Sequence, residues 1–99
     1  MKLFKEREIL EAYRFAEGGG QALHVFSGAR CYPNAPVCFK WSNEAAHLFD
    51  QDESRLIKTA GELGVSKVRV HHEGTQKQHI VLCGAPLLRA KGQVKNDGE

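Results

Sequence analysis

The chain has 99 residues, 41% hydrophobic and 26% charged with a net charge of +2, which is enough for one unstapled core and excludes an intrinsically disordered chain. No apolar run approaches the ~20 residues that cross a bilayer, and Met1 to Glu8 mixes both signs of charge where a secretory leader needs an apolar stretch. Cys31, Cys38 and Cys83 fall in no CxxC spacing, so reduced thiols in a cytoplasmic protein are expected, with no disulfide framework.

Residues 3–17 are rich in helix formers, with Ile9, Leu10, Tyr13 and Ala16 at helical spacing and Gly18-Gly19-Gly20 as the stop. On a helical wheel Phe4 and Phe15 fall opposite the Ile9 and Tyr13 stripe, so this helix carries two apolar faces, one for its own sheet and one for a partner. Gln21 to Ser27 alternates as a strand, with Leu23 and Val25 on one side and Ala22, His24 and Phe26 on the other. Gly28 to Pro36 reads as a loop, and Val37, Phe39 and Trp41 as a second strand with an aromatic face. Ala45 to Phe49 has the composition of a helix but the position of a returning strand, and strand is preferred. A helix over 51–63 then starts at Asp50 as cap, with Leu56, Ile57, Ala60 and Leu63 as its apolar stripe and Gly64 as its close.

Lys67 to His72 and Gln78 to Cys83 alternate around the Glu73–Lys77 loop, and pairing 72 with 78 gives a hairpin. Val68, Val70, Ile80 and Leu82 then share a core face, while Lys67, Arg69, His71, His79, Val81 and Cys83 share the other. Pro86 suits the first turn of a short final helix through Lys91. The expected architecture is α+β, a mostly antiparallel sheet of four to five strands packed against two main helices with a short C-terminal helix. Residues 1–91 form a single domain in this reading and 92–99 a flexible tail.

Chemistry concentrates at the C-terminal end. Residues 66–91 hold five basic side chains against one acidic, together with His71, His72 and His79, and so attract an anion. The hairpin register places His71 directly across from His79, where two imidazoles can share a proton-transfer task, and Arg69 beside them can hold a phosphate or carboxylate. Cys31, Cys38, His24 and His47 are the residue types of a zinc site, but not at a known spacing, and no metal or cofactor is expected. Ser27-Gly28-Ala29-Arg30 matches no phosphate-loop pattern, and no nucleophile-elbow, zinc-protease or kinase motif occurs. Tyr32 and Trp41 beside basic residues could stack on a base, which makes nucleic acid a lesser candidate partner.

Residues 46 to about 90 resemble an uncharacterised family of small bacterial domains, marked by Ser-His-Leu on a strand, an acidic helix cap, a Leu-rich helix ending Leu-Gly or Ile-Gly, and His-Tyr-Asp. The counterparts are Ala46-His47-Leu48, Asp50 to Glu53, Leu56 with Ala60, Leu63 and Gly64, and His79-Ile80-Val81; Arg89 falls where the family carries a basic residue. Ala46 replaces the serine and Val81 the aspartate, and the family's aspartate-bearing first strand has no counterpart. The resemblance implies a strand at 45–49 and groups His47 with His79, but brings no reaction. Two functions follow. One is a homo-oligomeric binding or accessory protein, most simply a dimer, taking a small anionic ligand. The other is a histidine-based hydrolase of an anionic, phosphodiester-like substrate, with His71, His79 and His47 as catalytic residues and Arg69 and Arg89 as ligand-binding residues.

Overall fold

The computed structural model describes residues 1–27, 44–65, 68–75 and 77–96. Their backbone forms strand β1 (Lys2–Phe4), a 3-10 turn at Glu6–Glu8, helix α1 (Ile9–Glu17), β2 (Gln21–Phe26), β3 (Ala45–Asp50), α2 (Glu53–Glu62), β4 (His79–Leu82) and α3 (Gly84–Asn96). The four strands lie in the order β1-β2-β3-β4. β1 runs parallel to β2, while β2–β3 and β3–β4 are antiparallel. The class is α+β, as expected, with a mixed sheet and three helices. The expected strand at Val37 to Trp41 and the Gly28–Pro36 loop lie outside the described residues.

The alternation within each strand sends side chains to the two faces of the sheet. Leu23, Ala46, Leu48, Ile80 and Leu82 face one side of the sheet and pack with Leu56, Ala60 and Leu63 of α2 and its end, and with Leu87, Ala90 and Val94 of α3. Phe4, Ala22 and Phe49 face the other side and pack with Ala12 and Ala16 of α1, bordered by Ile9 and Tyr13. The sheet is therefore covered by α1 on one side and by α2 and α3 on the other.

Four expectations need correction. Residues 3–17 are not one helix, because Lys5 is extended (φ −78°, ψ 165°) and Phe4 is 6% exposed on a sheet strand. Burying Phe4 beside Ala22 and Phe49 outweighs the local helix propensity. Phe4 and Phe15 do meet, with ring centroids 5.7 Å apart, but as a strand–helix contact and not as one helix face.

The cap of α2 is Asp52, whose side chain accepts the Arg55 amide, and not Asp50, which is wholly buried. Of the segment expected as a strand over 67–72, the described residues, 68–72, pair with β4 only through a bridge between His71 and His79. Val68 and Val70 still pack against the larger core without forming a ladder. Finally, the C-terminal helix runs to Asn96 instead of stopping at Lys91. Leu87, Ala90 and Val94 recur at helical spacing and are all buried, and this stripe carries the helix through Gly92.

Helix α2 ends as its sequence suggests. Gly64 adopts φ +86°, its amide donates to Gly61, and the Val65 amide donates to Ala60, closing the last turn. Leu56→Ala should cost about 2–5 kcal/mol, since Leu56 is fully buried within the larger core, while Asp52→Ala should cost only ~1 kcal/mol. Urea denaturation of the two variants checks this, and equal losses would place the buried face of α2 wrongly.

Candidate functional site

The face of the sheet that carries α1 also carries the histidines. Their gathering follows from register. His24 of β2 is directly opposite His47 of β3, and Phe49 of β3 is opposite His79 of β4, so His79 lies diagonal to His47. The His71–His79 bridge, with amide-to-carbonyl distances of 2.7 and 3.0 Å, adds His71 on the far side. All five histidines of the chain thus form one row of contacts across three strands and the bridge.

Within the row, His24 and His47 are nearly parallel (6°), with centroids 5.6 Å and Nδ1 atoms 3.4 Å apart, so the rings meet through their nitrogen edges. His47 stacks on Phe26 at 4.5 Å and stands edge-on to His79 at 4.7 Å. His79 in turn stacks on His71 at 5.2 Å and touches His72 at 5.7 Å. Burial varies within the row: His24 and His79 are buried, His47 and His71 are half-buried, and His72 at one end is exposed.

Backbone carbonyls fix the tautomers of two members. His24 Nε2–H donates to the Glu6 carbonyl at 2.8 Å, which leaves its Nδ1 as an acceptor facing His47 Nδ1–H. His79 Nδ1–H donates to the Lys77 carbonyl at 2.7 Å. In this assignment, made from hydrogen bonds, the Nε2 atoms of His47 and His79 carry lone pairs.

Electrostatics reinforce neutrality. Burial first, then the neighbouring His79, His24 and His71, push His47 down to a pKa of about 3. Burial likewise lowers His79; the Lys77 carbonyl opposes the shift, and His71 and His72 add to it.

Among the sequence-derived candidates, His47, His71 and His79 come together. Arg69 is exposed, two residues before His71. Arg89 lies on α3, across the sheet from the histidines, where its guanidinium donates to the Leu63 carbonyl at the end of α2. His24 joins the row although the sequence reading had no place for it there. Its own alternation puts it on the correct face, but its neighbour depends on the β2–β3 register, which no short turn specifies. For the zinc candidate, His24 and His47 are adjacent while Cys31 and Cys38 lie outside the described residues. Among the described residues no three of His, Cys, Asp and Glu converge as metal ligands. Cys83, on the same face as His79 and Val81, is disulfide-bonded, contrary to the expected free thiols. Disulfides are rare in a reducing cytoplasm, so this one pulls against the cytoplasmic expectation.

Comparison with known proteins finds no matching family model, no matching curated protein and no matching solved structure.

Proposed function

We propose that the chain is a small homo-oligomeric binding protein whose histidine row is a recognition surface, in preference to a hydrolase. The observation that carries this reading is the packing of His47 at the centre of the row, between His24, His79 and Phe26, which disfavours its charged form. A histidine with pKa near 3 has little drive to take a proton at neutral pH, so it makes a poor general base. Neutral imidazoles instead offer lone pairs to a hydrogen-bond donor or a divalent transition metal. The ligand end of the row is the pair His71 and His79, where burial gives way to solvent and where Arg69 and Lys77 lend positive charge. When protonated, this end suits a small anion.

Histidine NMR titrations test the reading. Zinc at pH 7.5 should move His71 and His79 together, and phosphate at pH 5.5 should act on the same pair. Independent responses, or none, would remove the site. Oligomerisation is supported by apolar side chains left in solvent around β1 and α1: Leu3 is 43% exposed, Leu10 61% and Phe15 37%. Phe15→Glu should shift light-scattering mass toward the monomer with little change in circular dichroism.

A further inference from the structure

Helix α1 presents two opposite arcs. Ala12 and Ala16 are buried and Ile9 and Tyr13 half-buried against the sheet, whereas Leu10, Glu11, Arg14 and Phe15 are exposed. At 3.6 residues per turn these four outward residues fill one arc of about 140°, centred opposite the buried arc. Their order along the chain is apolar, acidic, basic, apolar. Reversing the helix about the midpoint between residues 12 and 13 lays Leu10 on Phe15 and Glu11 on Arg14.

We infer that this face is the dimer interface and that its occupant is α1 of a second copy of this chain, packed antiparallel about a twofold axis. The inference rests on the homo-oligomeric reading and specifies its geometry. An isologous contact requires a self-complementary surface, and the Leu10, Glu11, Arg14, Phe15 set is one. Among the described residues neither Glu11 nor Arg14 has an ion-pair partner in its own subunit, so each is available to the other's counterpart across the axis, twice per dimer.

A receiving cleft lies beside the face. A cavity of about 450 Å³ is lined by Lys2, Leu3, Phe4, Glu8, Glu11, Arg14 and Phe15. Leu10, 61% exposed against 37% for Phe15, is the projecting apolar residue that the antiparallel arrangement brings to the partner's Phe15 and to the cleft next to it. The nine residues of α1 span only ~13 Å. The contact is therefore smaller than the roughly 800 Å² per partner of a standard interface, and the dimer should be of micromolar strength.

A charge swap on the full chain tests this. Sedimentation across micromolar to sub-millimolar concentration should show a wild-type dimer, and Glu11→Arg or Arg14→Glu alone should weaken it by about tenfold or more, because each puts like charges together twice. The double variant Glu11→Arg/Arg14→Glu should restore the affinity to within about threefold. Leu10→Ser, a change at a residue exposed in the monomer, should dissociate the dimer while leaving circular dichroism intact. A wild-type dimer indifferent to these changes, or a double variant that stays as weak as the single ones, overturns the α1 interface and leaves the homo-oligomeric reading standing. A wild-type monomer throughout overturns both.

Discussion

Replacing Arg55 by alanine should destabilise the fold by about 3 kcal/mol, a loss out of proportion to a side chain that is 43% exposed. The reason lies in its partner. Asp50 ends β3 with its carboxylate fully buried, and Arg55 grips both oxygens, Nε to Oδ2 at 2.7 Å and Nη2 to Oδ1 at 2.6 Å. Gln21 Nε2 and the Asp52 amide also donate to Asp50, at 3.0 and 2.9 Å, but both are neutral. Without the guanidinium the carboxylate keeps its desolvation cost and loses its counter-charge. The same Nη2 donates to the Gly19 carbonyl, so the α1–β2 turn loosens as well.

The asymmetry of this pair gives the sharper test. Asp50→Asn should cost less than Arg55→Ala, because the cation it leaves behind is half in water. Arg55→Lys should fall between wild type and Arg55→Ala, since a lysine cannot make the two-pronged contact. Urea midpoints at neutral pH order the three variants, and a loss below about 1 kcal/mol for Arg55→Ala would mean that water already solvates Asp50.

This network also marks what the sequence could convey. Asp50 stands where two readings compete: its spacing from Glu53 is that of a helix cap, and only its burial, which depends on how β2, β3 and α2 assemble, makes it an ion-pair centre. Asp52, equally able to cap, takes the role because it is exposed. The α2 stripe of Leu56, Ala60 and Leu63 and the closing Gly64 were legible because a helix repeats its pattern over several turns and stops by local stereochemistry. The β1 strand was not legible, since three residues carry no period and Phe4 is drawn into the sheet by partners far along the chain.

The candidate site divides in the same way. His71 opposite His79 could be read from a short loop, and the bridge between them has the predicted register even though the described residues before it form no ladder. His24 and His47 meet through a pairing whose loop lies outside the described residues, so no local turn reports it. Alternation alone showed that His24 shares a face with Phe26. That the face would be covered, and His47 and His79 pushed toward their neutral forms, depended on packing that no single strand reveals.

That neutrality should make the protein acid-labile over a window where carboxylates are not yet titrating. In the unfolded chain a histidine takes up a proton near pH 6.5, whereas folded His47 resists until about pH 3 and folded His79 also resists below its ordinary value. Between those limits the unfolded state binds more protons than the folded one, so stability rises with pH and falls on acidification. His47 held neutral contributes a slope approaching ~1.4 kcal/mol per pH unit, close to one proton taken up on unfolding by pH 5, and His79 adds to it in the same direction. About a unit above pH 6.5, where the unfolded histidines have also lost their protons, this contribution should vanish. His47→Phe, which keeps an aromatic ring against Phe26 and removes the titrating nitrogen, should flatten the slope by about one proton and make the variant more stable than wild type at pH 5. Urea midpoints measured from pH 7.5 to 5 decide the matter. A His47→Phe variant with the wild-type slope would show that His47 is protonated in the folded state at these pH values, which would return it to the ranks of competent general bases and reopen the hydrolase reading.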